Sequence, residues 1–280
     1  MTDWLVKLSS LDNELLFLWA ALTLYVFSGS IAIISTVVWR KVPTIIPYLT
    51  SLGFVIHTMA LALRWYRLDH GPFVTMFEIL SSNIWSFTLI WLLVFWRIKE
   101  IRLPLVIAQP VLFMMMAWIL LAPAEESIYP ATYQTIWLYI HVAFGKVYLG
   151  IFYMAVALSV VILLRKFRTC YHWFKQLPAD ENLAILAFRF VAVGLIFDTL
   201  MLIAGAIWAQ DAWGRYWAWD SLETWSFISW LLVALLLHAR ITWKIKPDIS
   251  SVMIIMVFII SFVTFFGVPF ISMVAHKGVI

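Results

Sequence analysis

Apolar runs of about 20 residues follow one another along the whole chain, separated by short polar connections. They fall at roughly 14–38, 44–63, 75–96, 103–121, 135–164, 183–208, 223–241 and 249–271. A helix rises about 1.5 Å per residue, so about 20 apolar residues cross a hydrocarbon layer of about 30 Å. In lipid every backbone polar group needs a partner inside the protein, and a helix supplies one within the segment. The pattern therefore predicts an all-α, polytopic membrane protein of about eight transmembrane helices, forming one membrane domain over residues 1–280. The fifth run, at about 30 residues, is too long for the bilayer, so its start should tilt or project. No stretch is long and polar enough to form a separate soluble domain, and no strong internal repeat stands out.

Composition agrees. The chain is 64% hydrophobic and 12% charged, against about 45–50% and about 25% for an average soluble domain. The charges are ordered by topology rather than by a partner, and imply no nucleic acid. The connections at 39–41, 97–102, 165–175 and 239–246 hold 12 Lys or Arg, whereas the other loops and termini hold five. Basic residues favour the inner side, so both termini, 64–74, 122–134 and the loop after the sixth span are expected outside. The first 16 residues lack the basic segment of a cleaved signal, which predicts a retained first span. One cysteine, Cys170, excludes an internal disulfide and a cysteine-rich metal site.

One stretch does not fit a simple lipid crossing. Between Gln210 and Trp230 stand Trp213, Trp217, Trp219, Trp225 and Trp230, with Asp211, Asp220, Glu223 and Gly214 among them. Aromatic belts put one or two indoles at a membrane interface. Five in 21 residues, interleaved with carboxylates, make an outer loop (about 209–225) suited to holding something flat and mostly apolar. Asp220 and Glu223 share a face if the segment is helical. They could orient N–H groups or support the start of the seventh span, where Ser221 is a candidate N-cap.

Six histidines are present. His70 and His172 read as solvated loop residues. His141 lies near the outer end of the fifth span, with Gly145 four residues on and on the same face, leaving room for a planar group. His276 follows the last span, on the same expected side as the Trp-rich loop. Two imidazoles from different helices can grip one haem iron; two unrelated interfacial histidines fit the pattern as well. His238 lies near the inner end of the seventh span, 15 residues after Glu223, or roughly 22 Å along a helix. As a ligand it would serve a second, inner position. His57, high in the second span, is poorly placed to pair with it, so that position would need a ligand from another chain. His57 itself is open between a core and a functional role. Glu78, Asn83, Lys146, Arg189 and Asp198 lie in or near apolar spans, where each needs a partner or a wet cavity.

The segment WGRYWAWDSLETWSFISW resembles the tryptophan-rich WWD signature, WGxxWxWDxxExW, of haem-handling membrane proteins. Trp213, Gly214, Trp217, Trp219, Asp220, Glu223 and Trp225 stand in register. Within that superfamily the span count and the stretch RWYRLDHGPFVTMFEILSSNIWSF (64–87) are similar to CcsA (ResC) of the system II cytochrome c synthase. His141, His276 and His238 fall where that family has two outer ligands and a membrane ligand. The resemblance implies haem b as substrate, taken from the inner side and held outside between His141 and His276 over the loop. Trp213, Trp217, Trp219, Asp220, Glu223 and Trp225, with Gly214, would form the surface where thiols of an apocytochrome c CxxCH segment add to the haem vinyl groups. It also implies a CcsB (ResB) membrane subunit opposite His238, proteins that keep the thiols reduced, and a bacterial inner membrane or thylakoid equivalent. Two alternatives keep the same fold: a haem exporter of the CcmC type without ligase activity, and a regulator of haem synthesis of the HemX type.

Overall fold

A computed structural model describes residues 2–126 and 129–268, with side chains from Asn13 on. Its helices are α1 (Thr2–Trp39), α2 (Ile45–Leu68), α3 (Met76–Arg97), α4 (Arg102–Val106), α5 (Gln109–Ile119), α6 (Ile136–Leu164), α7 (Arg168–Tyr171), α8 (Asp180–Trp213), α9 (Ser221–Thr242) and α10 (Pro247–Phe266). Among the described residues seven helices are long and apolar enough to cross a membrane, and an eighth crossing results if one bent pair, Lys99–Val106 with Gln109–Ile119, is a single span. The protein is an all-α integral membrane protein. The fourth expected span is that bent pair, broken by 46°. Pro110 sits in the first turn of α5, where its missing N–H costs nothing; in one continuous helix it would lack that hydrogen bond and its ring would clash with the Val106 carbonyl, so the helix breaks ahead of it.

The chain divides into two compact units, 1–129 and 130–280. In the first, α2 packs against α1 and α3, and α5 against α3. A buried ion cluster ties its helices. Arg64, 2% exposed, donates to Glu14 Oε1 at 2.7 Å and to Glu78 Oε1 at 2.9 Å. Arg67 donates to Glu14 Oε2 at 2.9 Å and also pairs with Glu126. Glu78 additionally closes a capping box with Thr75 at the start of α3. The sequence put Arg64 and Arg67 in an outer loop; α2 instead runs on to Leu68 and folds both guanidinium groups inward. Each carboxylate is thereby paired, which burial requires.

In the second unit α6 packs against α8 and α10, α10 against α9, and α9 against α8. The buried line on α8 runs Ala184, Ala187, Val191, Gly194, Asp198, Met201, Ala204 and Trp208. Small residues at this spacing let helix backbones approach closely, the usual way that helices associate where lipid removes the hydrophobic drive. Gly145 serves that packing on α6: a Cβ there would meet Met201 Sδ and Phe265 Cε1, each at 3.0 Å. The expected space beside Gly145 for a planar group is therefore filled. Tyr148, Ser229 and Ser261 join α6, α9 and α10 through hydroxyl contacts, two of them at 2.7 Å. Beyond α6, Arg165 binds the carbonyls of Phe174, Leu177 and Pro178 and the Asp180 carboxylate. That guanidinium folds the connection into α8.

Candidate functional site

The histidines divide by environment. His57 is fully buried, with Nε2 3.0 Å from Ser81 Oγ and Nδ1 3.4 Å from Tyr25 Oη. Both ring nitrogens are spent joining α1, α2 and α3, so it is a core histidine. His70 is buried too, contrary to its reading as a solvated residue. Its ring lies parallel to Tyr129 with centroids 4.6 Å apart, and its Nδ1 is 2.9 Å from the Gly71 carbonyl. The tight turn after α2 tucks it under the chain. His172 is exposed in the basic connection.

His141 is built differently. Thr135 caps α6, accepting the Trp137 N–H and donating to Asp211 Oδ2 on α8 at 3.3 Å. From the second turn of α6, His141 points at α8 and donates Nδ1–H to the Met201 carbonyl at 2.8 Å. A carbonyl can only accept, so the neutral ring carries its lone pair on Nε2. A hydrogen bond of this kind is how ligating histidines are fixed in tautomer and orientation. The ring reaches the α8 backbone because residue 205 is glycine: a Cβ there would stand 2.7 Å from His141 Nδ1. Gly205 was not singled out from the sequence, where it stands among small residues that all read as packing.

Indoles continue from this ring. Trp208 stacks on His141, with centroids 6.0 Å apart, and touches Trp213 at 5.0 Å. Trp208 Nε1–H donates to the Thr132 carbonyl, which fixes the turn at Ala131–Tyr133 against α8. Burial there pushes the Tyr133 phenol above its ordinary pKa. The Trp-rich stretch thus starts on a helix: α8 runs to Trp213 and ends at Gly214, whose φ of 72° gives the left-handed turn that glycine adopts without strain.

The turn into α9 is held by its two carboxylates. Asp220 Oδ1 accepts the Glu223 N–H at 2.8 Å, and Glu223 Oε2 accepts the Ala218 N–H at 2.6 Å. The N-cap is therefore Asp220 rather than Ser221, which forms the first turn. Just before Asp220 the loop holds Trp219 at φ 59°, with the residue 66% exposed. A non-glycine residue rarely takes that conformation. Trp217 and Trp219 meet Phe227 edge-on at 6.3 and 6.0 Å, and Phe227 stacks on Trp230. The five tryptophans of this stretch are thus dispersed: Trp213 lies with Trp208 and His141, Trp217 and Trp219 join Trp230 through Phe227, and Trp225 is exposed without ring contacts among the described residues. Trp217 Nε1–H is buried and has no acceptor there.

His238 is exposed near the end of α9, its ring edge-on to Trp243 at 5.9 Å. His276 lies outside the described residues. Among those described, no cluster of three or more His, Cys, Asp or Glu could hold a metal ion. Of the polar span residues, Glu78 is paired as above and Arg189 is exposed. Asn83 donates to the Ile79 carbonyl, Lys146 is half-buried, and the Asp198 carboxyl is buried with Oδ2 unpartnered among the described residues.

Residues 45–276 match the family model described as cytochrome C assembly protein. The chain belongs to that family. It is similar to the cytochrome c biogenesis protein CcsA of Prochlorococcus marinus (strain AS9601), 28% identical over 268 residues, covering 85% of both chains. CcsA of Cuscuta reflexa is 27% identical over 254 residues, 81% of this chain and 82% of its own. CcsA of Lactuca sativa is 25% identical over 265 residues, covering 80% and 82%. The family match takes in His57, His141, His238, His276 and the whole Trp-rich stretch.

Proposed function

We propose that this family member receives haem b, holds it on the side of the Trp-rich loop, and presents it for covalent attachment to apocytochrome c. The observation that carries this reading is His141: its Nδ1–H is committed to a helix carbonyl and its lone pair stands on Nε2 beside an indole. An imidazole so held is an axial ligand for haem iron. His276 is the proposed second outer ligand and His238 the inner one. The buried Trp217 N–H, lacking an acceptor, is a ready donor to an oxygen of the substrate, and the exposed Trp219 and Trp225 rings offer flat apolar area. Trp213, Gly214, Asp220 and Glu223 hold that surface in shape.

In attachment, each cysteine S–H of a CxxCH segment adds across a vinyl group, sulfur to one carbon and hydrogen to the other, with no net redox change. The protein contributes position, converting an encounter in solution into one between held reactants. The reading includes a CcsB-type subunit supplying the ligand opposite the exposed His238, apocytochrome c as co-substrate, thiol-reducing proteins, and both termini outside a bacterial inner membrane or its thylakoid equivalent.

The test is an absorption spectrum of the protein purified with its partner, followed by assay for covalent cytochrome c. The wild type should show low-spin bis-histidine haem and yield the covalent product. His141→Ala and His276→Ala should insert normally and lose the product, with partial rescue by added imidazole. Normal maturation by either variant without imidazole removes that residue as a ligand. Haem export without a covalent product would assign the protein to transport alone.

A further inference from the structure

One buried ionisable group has no part in the chemistry proposed above. Asp198 is 1% exposed and belongs to the line Val191, Gly194, Asp198 and Met201 that α8 buries. Among the described residues no cation pairs with its carboxyl, and its Oδ2 has no hydrogen-bond partner. A carboxyl inside a membrane span without a partner is costly and marks a functional position. Packing alone gives no reason for an acid there, since an apolar side chain would fill the same line without the cost.

Tyr148 on α6 lies against α8 one turn before Asp198: a Cβ at Gly194 would stand 3.6 Å from Tyr148 Cδ2. The phenol and the carboxyl are close enough to interact electrostatically. The phenol belongs to a cluster of buried hydroxyls, in which Tyr148 Oη and Ser229 Oγ on α9 each lie 2.7 Å from Ser261 Oγ on α10. Ser261 donates its own hydrogen to the Val257 carbonyl at 3.0 Å, because a carbonyl only accepts. Tyr148 and Ser229 must then donate to Ser261, and every hydroxyl hydrogen of the cluster is spent. What the cluster has left is lone pairs. A carboxylate, which only accepts, finds no donor in it; a carboxyl O–H finds acceptors. Lys146, two residues from Tyr148, stands about 160° round α6 from it, and His141 lies two turns nearer the start of that helix. Between Glu223 and His238 α9 carries no ionisable side chain, and α10 carries none after Asp248.

We infer that Asp198 is a proton-binding site inside the membrane bundle, occupied while α6, α8, α9 and α10 are packed and emptied only when that packing opens to water. The inference does not depend on the haem-handling reading. A metal cation would need several oxygens turned toward it, whereas these hydroxyls are engaged with one another. In the step itself the carboxyl O–H bond breaks, its electron pair stays on the carboxylate and the proton passes to water. A closed bundle has nothing to set against that carboxylate, so proton release and opening are linked. The closed bundle binds the extra proton; it is favoured as pH falls, and opening is favoured as pH rises. Met201, whose carbonyl holds His141, is the next residue of the same buried line, so opening at Asp198 also loosens the imidazole.

The experiment uses the full chain in lipid, in sodium-free potassium buffer, with infrared spectra and thermal unfolding recorded from neutral to alkaline pH. At neutral pH the wild type should show the carbonyl stretch of one more protonated carboxyl per polypeptide than Asp198→Asn. Wild-type protein without that excess overturns the site. Raising the pH should favour opening of the wild-type bundle by up to about tenfold per pH unit for one released proton. Its melting temperature should therefore fall more steeply with pH than that of Asp198→Asn. Equal pH dependence in the two overturns the link to packing. Loss of the excess band on adding sodium at fixed pH assigns the site to a metal cation and overturns the proton. Should the asparagine variant fail to insert, Asp198→Leu, which suits an apolar line, is the reference for both measurements.

Discussion

Two glycines make opposite points at the scale of single residues. Gly145 was visible in the sequence because it shares a face with His141, yet its space is taken by Met201 and Phe265. Gly205, 64 residues away from His141, supplies the room that the imidazole uses. Gly205→Ala adds helix propensity of about 1 kcal/mol. A Cβ 2.7 Å from a ring nitrogen works against that, and overpacking of this kind costs about 1–3 kcal/mol. The steric term should win. Gly205→Ala should lower the melting temperature slightly and lose outer haem, because the ring must leave the Met201 carbonyl. His57 supplies the contrast. His57→Phe strands the Tyr25 and Ser81 hydroxyls in the core, which should destabilise the protein by about 1–3 kcal/mol. The haem spectrum should be unchanged, since neither ring nitrogen is offered to a ligand. A changed spectrum in His57→Phe would return that residue to the list of ligands.

Elements explain why the Trp-rich stretch is a surface rather than a floppy loop. Helix α8 extends to Trp213, so its last turns already carry Trp208 and Trp213, and only Gly214 to Asp220 lies between helices. Asp220 and Glu223 then fix that short turn through two backbone N–H groups. Asp220→Ala should cost about 1 kcal/mol through the lost cap and release the loop, read as faster proteolysis between residues 214 and 220 and weaker haem retention. Asp220→Asn keeps an acceptor and should fall between that variant and wild type. Trp219 tests the backbone separately, because holding a non-glycine residue in the left-handed region costs about 1–2 kcal/mol. Trp219→Gly should therefore be more thermostable than Trp219→Ala, with haem retention equally poor in both if the indole is what the loop presents. Better haem retention in Trp219→Gly than in wild type would show that the ring is dispensable.

For the molecule as a whole, stability and the candidate site draw on different residues. In the unit formed by 1–129, Glu14, Arg64, Arg67 and Glu78 join three helices in a buried charge cluster. Arg64→Met leaves Glu14 and Glu78 short of a cation, and breaking a buried pair on one side costs about 3–5 kcal/mol. Membrane yield and melting temperature should fall sharply. Arg64→Lys should not rescue them, because one ammonium cannot reproduce the guanidinium's forked bonds to two carboxylates. Rescue by lysine would reduce the cluster to simple charge balance. In the unit formed by 130–280, α8 gives His141 its Nδ1 bond, its clearance and its stacking indole.

The succession of long apolar helices, the all-helical class and the places of the Trp213–Trp225 signature and of the histidines within it were legible in the sequence by itself, because burial in lipid imposes long apolar runs on any chain and makes each polar interruption conspicuous. The sequence could not reveal that Arg64 and Arg67 turn inward, that His57 and His70 are core residues, or that Asp220 is the cap. Nor could it show that Gly205 admits the His141 ring. Those depend on which side chain stands opposite which across a helix interface. Spacing along one helix defines a face, and only the packed neighbour decides what that face meets.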